Sequence, residues 1–204
     1  MYQAVGSPGS RITRVIWMLE ELEQPYEIIM AKPQSQEARR YNASGKVPSL
    51  VDGDFVLNDS AAICVYLGEK HSDRGMGSRD LRERAQIDSW MHFIQSELEA
   101  PLWNKLKHRF ILQDELRTEV GPWCNWEFRT AMKALERRLG ERQFALGDRM
   151  TAVDILLGHC GSWARAGKFE IGSEVLNAYF DRILSRPALA RAREREAALA
   201  KETA

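Results

Sequence analysis

Two short polar segments of the sequence stand where helices are predicted to begin. Ser7 to Ser10 interrupts an apolar stretch and precedes apolar residues at helical spacing, and Asn58 to Ser60 precedes a second such pattern. The first turn of a helix presents backbone N–H groups without intrahelical partners, and the helix dipole favours negative charge there. A serine at such a position can cap the helix, and the adjacent N–H groups can bind an anion. Both segments are therefore predicted to be helix caps that can also hold an anionic group.

The first 70 residues alternate β-type runs with helical periodicity, which is typical of an α/β fold. The predicted order is strand, helix, strand, irregular segment, strand, strand, helix, with the irregular segment running from Ala31 to Gly45. The two strands after it are joined at Asp52 to Asp54, whose central glycine is typical of a tight hairpin turn. This order places Ser10 near the start of the first helix and Asp59 and Ser60 at the start of the last.

The rest of the chain is predicted to be helical. We predict one domain at residues 1–72, a linker at 73–80 and an all-helical domain at 81–204. The apolar periodicity indicates helices near Leu81–Lys107, Pro122–Leu139, Ala152–Ala166, Val175–Leu184 and Pro187–Lys201. Thr151 and Asp154 have the spacing of a capping box. The alternating charges from Arg191 to Glu196 are typical of a solvated helix face.

Composition excludes several classes of function. Lys plus Arg and Asp plus Glu each number 29, so the net charge is 0 and no overall field favours a nucleic acid. No run of about 18 apolar residues and no leader-like N-terminus is present, so we expect no membrane partner and a cytoplasmic location. Cys64, Cys124 and Cys160 are widely spaced and lack a metal-ligand rhythm, so neither a metal site nor a disulfide framework is expected.

Three separated parts of the chain share a pattern with one enzyme family. They are Ser7 to Ser10 with Arg14, Val15 and Leu19 to Glu21; Gly45 to Gly53 with Leu57 to Ile63, Tyr66 and Leu67; and Gly147 to Ile155. The pattern resembles the cytosolic glutathione transferases, in particular bacterial members of the serine type. The resemblance spans essentially the whole chain. It implies a thioredoxin-like glutathione-binding domain followed by an all-α domain, a homodimer, and a detoxifying enzyme with glutathione as co-substrate.

The resemblance assigns glutathione contacts to five residues. It implies that Pro48 is cis and that the backbone of Val47 pairs with the cysteinyl backbone of glutathione as an added strand would. Ser60 would bind the γ-glutamyl carboxylate, Asp59 would receive the ligand's ammonium, and Lys46 would approach the glycyl carboxylate. Each has a simpler interpretation, namely a strand-initiating proline, a helix cap without a ligand, or a solvated lysine.

Ser10 is the residue that we expect to activate the glutathione thiol. In the serine-type family members a hydroxyl donates a hydrogen bond to the thiolate, and a helix N-terminus adds a favourable dipole. Ser7 is the second candidate, because in serine-type family members the catalytic hydroxyl stands at slightly different distances along the sequence from the pair that corresponds to Arg14 and Val15. Arg11 could assist electrostatically. The segment contains no cysteine, which disfavours a mixed-disulfide mechanism.

The second substrate is expected to be a small hydrophobic electrophile bound between the domains. Trp103, Leu106 and His108 are predicted to line its pocket, although aromatic and leucine residues at helical spacing more often belong to a core. The leading prediction is conjugation of the glutathione thiolate to that electrophile. The alternatives are a glutathione-dependent isomerase or dehalogenase on the same scaffold, and a non-enzymatic binding or regulatory protein.

Overall fold

The computed structural model describes residues 1–202, which divide into two compact units. The first contains residues 1–79 together with the segment from Ser185 onward, and the second contains residues 80–184. This division does not follow sequence order, because the last helix belongs with the N-terminal unit. The sequence-based limit of 81–204 for the helical region therefore includes a helix that packs in the first unit.

A four-stranded mixed sheet forms the centre of the first unit. Its strands are β1 (Tyr2–Gly6), β2 (Tyr26–Met30), β3 (Ser49–Asp52) and β4 (Phe55–Asn58), in the spatial order β2-β1-β3-β4. β1 and β2 are parallel, as a helical crossover between them requires, and the other two pairs are antiparallel. Gly53 has a φ of 65° in the turn between β3 and β4, in agreement with the predicted hairpin.

Three helices accompany the sheet in the N-terminal segment of this unit. They are α1 (Ile12–Glu21), α2 (Gln36–Tyr41) and α3 (Ser60–Lys70). α1 buries the apolar residues whose spacing predicted it, namely Ile12, Val15, Ile16 and Leu19. α3 begins at Ser60, and its N-cap is Asp59, within the Asn58 to Ser60 segment that was predicted to cap it.

The prediction of irregular chain from Ala31 to Gly45 is wrong for α2. This helix has six residues, of which Ala38 is buried, so it shows no apolar repeat that could reveal it. Ser35 caps it, because its Oγ accepts a hydrogen bond of 3.1 Å from the N–H of Ala38. A single buried alanine and one cap thus hold a helix too short to be recognised by periodicity.

The segment predicted to be a linker packs against α3. Met76 and Gly77 are buried, and a Cβ atom at Gly77 would lie 2.4 Å from the carbonyl oxygen of Gly68. The Glu69 carboxylate accepts hydrogen bonds from the N–H and the hydroxyl of Ser78, at 3.0 and 2.9 Å. Only glycine permits this close approach of two backbones, so residues 76–78 continue the first unit up to its boundary.

The second unit is helical. Its helices are α4 (Leu81–Phe93), α5 (Ala100–Phe110), α6 (Gly121–Leu139), α7 (Ala152–Ala166) and α8 (Glu174–Leu184). Ile94–Glu99 continues α4 into α5 with π-helical hydrogen bonding, so the stretch predicted from Leu81 to Lys107 is helical throughout. Among the described residues, no helix combines the length and the apolar character needed to cross a bilayer.

The start of α7 is the buried polar centre of the second unit. Thr151 and Asp154 form the predicted capping box, in which an Asp154 oxygen accepts from the Thr151 N–H at 2.9 Å. The other Asp154 oxygen accepts from the Ala145 N–H at 2.8 Å and from the Tyr179 hydroxyl at 2.7 Å. One carboxylate therefore ties the loop before α7, the start of α7 and α8 together.

The C-terminal helix α9 (Pro187–Glu202) packs against α1 within the first unit. Its buried residues include Ala188, Leu189 and Ala192. Arg186 makes a bidentate ion pair with Glu21, at 2.5 and 2.6 Å, and Arg191 pairs with Glu20 at 2.7 Å. The prediction of a solvated face from Arg191 to Glu196 is correct for Arg191, which is exposed, and wrong for Glu196, which is buried.

Candidate functional site

The sheet register brings the predicted ligand-binding segments to one end of the first unit. Val5 near the end of β1 pairs with Ser49 at the start of β3, and Ser49 pairs with Asn58 at the end of β4. Ser7 follows β1, Pro48 precedes β3, and Asp59 follows β4, so all three segments leave the sheet at the same edge. The Ser49 hydroxyl donates to the Asn58 side-chain oxygen at 2.6 Å and reinforces this alignment.

The Ser10 hydroxyl oxygen contacts the first residue of α1 from the turn before the helix, whose N-cap is Arg11. The Oγ atom accepts a hydrogen bond of 3.2 Å from the Ile12 N–H, and the turn before it is closed by the Ser10 N–H and the Ser7 carbonyl at 3.2 Å. Since a serine hydroxyl carries one proton as well as acceptor lone pairs, accepting from the helix leaves that proton available to donate. Ser10, Ser7 and Arg11 are all partly exposed. An anion placed at this helix end can therefore receive the Ser10 proton in a hydrogen bond.

A buried arginine connects α1 with α3. Arg14 is fully buried in the first turns of α1, and its Nη1 donates to the Ser60 Oγ at 3.1 Å. Ser60 is itself buried at the first position of α3. A guanidinium removed from water is stabilised by a nearby anion, and two helix N-termini that meet here add their dipoles in the same sense. The position of Ser60 is thus favourable for a carboxylate.

Asp59 is an N-cap with an unusual backbone. Its φ is 73°, a region that non-glycine residues occupy at a cost of about 1–3 kcal/mol, and such residues concentrate at binding sites. Its Oδ1 accepts from the N–H groups of Ala61 and Ala62 at 2.8 and 3.3 Å. The side chain is exposed, so the carboxylate that caps α3 also faces solvent at the edge where the three segments meet.

Val47 and Pro48 lie beside the end of β1. The Val47–Pro48 peptide bond is cis, as the resemblance implied. Val47 is half-buried and packs against the cluster formed by Val5, Ala31 and Ala38. Lys46 is exposed, and its carbonyl accepts from the Asn42 side chain at 3.1 Å. The backbone of residues 46–48 is therefore held from its inner side while the lysine side chain projects outward.

The residues predicted to line an electrophile pocket all lie on α5 and are half-buried. Trp103 stacks on Trp163 of α7, with ring centroids 6.4 Å apart and planes inclined by 24°. The Nδ1 of His108 accepts from the Thr118 N–H at 3.1 Å. Two clefts of about 210 and 380 Å³ lie elsewhere in the second unit, beside Arg129 and Arg138, and contain none of the three residues.

Cysteine chemistry is disfavoured within the first unit. Cys64 on α3 is fully buried, and its Sγ lies 3.6 Å from the carbonyl oxygen of Arg14. Burial raises the pKa of the Cys64 thiol to about 12. Because the thiolate is the reactive form, this cysteine is a small core residue and not a nucleophile.

Comparisons with known proteins decide the family. The model for "Glutathione S-transferase, N-terminal domain" matches residues 2–75. "Glutathione S-transferase tcpG" of Claviceps purpurea is 33% identical over 174 residues, which cover 76% of this chain and 68% of that protein. The chain belongs to the glutathione S-transferase family.

Solved structures of the same fold cover nearly the whole chain. The glutathione S-transferase from Xylella fastidiosa has a TM-score of 0.86 and 21% identity, over 97% of this chain and 99% of that one. Ure2p in complex with glutathione has a TM-score of 0.83 and 20% identity, over 94% and 97% of the two chains. These likenesses agree with a thioredoxin-like N-terminal transferase domain followed by a helical region.

Sequence reasoning missed two residues of this glutathione S-transferase family member that touch the predicted site. Arg14 was part of the recognised pattern but received no role, although an arginine within the apolar repeat of α1 was a signal that it is buried for a purpose. Glu196 was assigned to a solvated helix face, although it stands four residues after Ala192 and seven after Leu189 and so lies on the apolar side of α9, whereas Glu194 does not. Its contacts depend on the packing of α9 against α1, which sequence periodicity does not reveal.

Proposed function

We propose that this family member transfers the thiolate of glutathione to a hydrophobic electrophile, with Ser10 as the residue that stabilises the thiolate. The observation that carries the proposal is the meeting of two helix N-termini at one sheet edge. The Ser10 hydroxyl lies at one of these termini, and the buried Arg14–Ser60 hydrogen bond lies at the other. Glutathione carries a carboxylate near one end and a thiolate near its middle, so two positive helix ends suit it.

In the proposed complex each contact has a definite chemical task. The Ser60 hydroxyl and N–H bind the γ-glutamyl carboxylate, and Arg14 behind Ser60 adds positive potential. The Asp59 carboxylate receives the γ-glutamyl ammonium. The backbone of Val47, next to Pro48, pairs with the cysteinyl backbone, and Lys46 approaches the glycyl carboxylate. These contacts hold the sulfur near the N-terminus of α1.

The chemical step then requires little from the protein beyond stabilisation and position. The thiol proton is released to solvent, and the Ser10 O–H donates a hydrogen bond to the resulting thiolate. The sulfur's electron pair forms a bond to the electrophilic carbon, and the leaving group departs with its bonding electrons or an activated double bond accepts them. Trp103, Leu106 and His108 are proposed to contact the electrophile, and a homodimer is proposed from the family alone.

Substitution of Asp59 by asparagine tests the glutathione site without destroying the helix cap. Asn is as good an N-cap as Asp and tolerates positive φ, so α3 should remain intact. The lost charge removes a charge-assisted contact with the ammonium, which we expect to weaken glutathione binding by roughly tenfold. Isothermal titration calorimetry with reduced glutathione measures the dissociation constant, and thermal melting measures stability.

Asp80 provides the matched control for this experiment. It is also an exposed N-cap, at α4, where its side chain accepts from the Glu83 N–H at 2.9 Å. Asp80→Asn should leave the dissociation constant unchanged. Equal affinities for wild type and Asp59→Asn would remove Asp59 from the site, and a wild-type protein that binds no glutathione would overturn the whole proposal. With binding present, turnover of an activated aryl halide distinguishes conjugation from a purely binding role.

A further inference from the structure

Glu196 is a buried carboxylate of α9 that contacts the turn carrying Ser10. Glu196 is only 7% exposed, and its Oε1 accepts a hydrogen bond of 3.2 Å from the Gly9 N–H. The Thr13 hydroxyl lies 3.0 Å from Oε1 and 2.9 Å from Oε2. The same carboxylate therefore contacts the residue before Ser10 and a residue of the first turn of α1.

Gly9 and Thr13, the two residues that contact Glu196, lie on either side of Ser10 in the sequence. Gly9 has a φ of 75°, a conformation suited to glycine, and its N–H points to Glu196. The Thr13 hydroxyl also lies 3.1 Å from the Ser10 carbonyl oxygen, and since it carries one proton it shares its donation among these acceptors. The orientation of the Ser10 side chain thus depends on a stretch of chain that is held on both sides, at Gly9 and at Thr13, by the Glu196 carboxylate.

α9 is fixed well enough to serve as the support. Two ion pairs, Arg186 with Glu21 and Arg191 with Glu20, join it to α1, and its apolar face is buried. Burial raises the pKa of Glu196, while the hydrogen bonds from Thr13 and Gly9 and the charge of Arg193 oppose that rise. A buried carboxylate is a costly way to join two helices, because apolar residues of similar volume are often at least as stabilising. The position of Glu196 is more readily explained by its contacts with Gly9 and Thr13.

We propose that Glu196 is a positioning residue, which holds the Ser7 to Ser10 turn through the Gly9 N–H and the Thr13 hydroxyl so that the Ser10 O–H points at the glutathione sulfur. This inference rests on the proposed function. It makes α9 a requirement of the chemical step, although α9 is far from Ser10 in sequence. It also predicts that loss of Glu196 alters turnover and thiol ionisation more than glutathione affinity, since the tripeptide's other proposed contacts lie at residues 46–48 before β3 and at residues 59–60 at the start of α3.

The test compares Glu196→Ala and Glu196→Gln with the matched control Glu194→Gln, an exposed position on the same helix. Misplacement of a reacting group by about 1 Å can cost roughly 100-fold, so we expect kcat to fall about tenfold or more in Glu196→Ala. The glutathione dissociation constant should stay within about threefold. The apparent pKa of bound glutathione, from the pH profile of kcat/KM for the electrophile at saturating glutathione, should rise toward the free-thiol value, although removal of the Glu196 charge by itself would lower it. Glu196→Gln keeps an acceptor oxygen for the Gly9 N–H and should recover most of kcat.

Amide hydrogen exchange of residues 7–13 gives a readout that does not depend on activity. Faster exchange there in Glu196→Ala, but not in Glu194→Gln, is expected if the carboxylate holds the turn. Thr13→Val removes the same contact from α1 and should reproduce the loss of kcat if Glu196→Ala does not fold. Wild-type kcat and exchange in Glu196→Ala, or a lower melting temperature as its only change, would overturn this inference. Absence of glutathione binding by the wild type would instead overturn the proposed function, whatever the exchange shows.

Discussion

Replacing Ser10 by alanine is expected to lower the conjugation rate by about 100-fold or more, while the glutathione dissociation constant changes by no more than a few-fold. The substitution removes the Ser10 O–H. This hydroxyl lies at the N-terminus of α1, where its oxygen accepts a hydrogen bond from the Ile12 N–H. The binding contacts proposed for Val47, Asp59 and Ser60 are untouched. Steady-state kinetics with an activated aryl halide and calorimetry with glutathione measure the two effects separately.

The size of this effect exceeds what thiol ionisation alone can supply. A thiol of pKa about 8.5 is roughly 3% ionised at pH 7, so complete ionisation adds at most about 30-fold. The further loss is expected because an undirected sulfur is also poorly aligned with the electrophile, and alignment is worth several kcal/mol. Ser7→Ala is the control, because Ser7 is the other hydroxyl of the same turn. If Ser7→Ala is impaired and Ser10→Ala is not, the assignment of the activating serine must be reversed.

Loss of helix stability must be separated from loss of catalysis in Ser10→Ala. Removing the hydrogen bond between the Ser10 hydroxyl and the Ile12 N–H should cost about 1 kcal/mol, which would lower the melting temperature by a few degrees but would leave most molecules folded. Kinetics are therefore measured well below the melting temperature of the variant. A fall in kcat that tracks only the unfolded fraction would contradict a catalytic role for the hydroxyl.

Much of the fold could be predicted because its signals are local. The apolar spacing of α1, the Gly53 turn and the Asp59 and Thr151 caps each lie within a few residues, and each is present in the structure. α2 could not be predicted, because a six-residue helix with one buried alanine leaves no periodic trace. The association of α9 with the first unit is a matter of tertiary packing, and its apolar spacing would be the same on either unit.

The candidate site shows the same difference between local sequence signals and tertiary contacts. Ser10, Val47, Pro48, Asp59 and Ser60 were identified because each belongs to a short pattern, and the register Val5 with Ser49 and Asn58 explains why separate patterns meet. Their roles toward glutathione remain predictions. Contacts between elements distant in sequence were not foreseen: Arg14 with Ser60, and Glu196 with Gly9. The residues expected to contact the ligand could thus be predicted from the sequence, whereas the contacts that orient them could not.

Asp154→Ala is expected to lower the free energy of unfolding by about 3–5 kcal/mol, because removal of one partner leaves several buried polar groups without an acceptor. Asp154 is fully buried and accepts from the N–H groups of Ala145 and Thr151 and from the Tyr179 hydroxyl. Urea denaturation followed by fluorescence measures the change as a shift of the midpoint. The expected loss is large because these donors, together with the Thr151 hydroxyl at 3.3 Å, are all buried.

Two milder variants show whether Asp154 acts as a single centre or as a sum of separate contacts. Thr151→Ala removes the cap hydroxyl alone and should cost about 1 kcal/mol, and Tyr179→Phe removes one donor and should cost about as much. If Asp154 holds the loop before α7, the start of α7 and α8 together, its loss must exceed the sum of these two. A loss in Asp154→Ala no larger than that of Thr151→Ala would reduce Asp154 to an ordinary helix cap. Since none of the three residues lies in the first unit, glutathione affinity below the melting temperature should be the same in all of them.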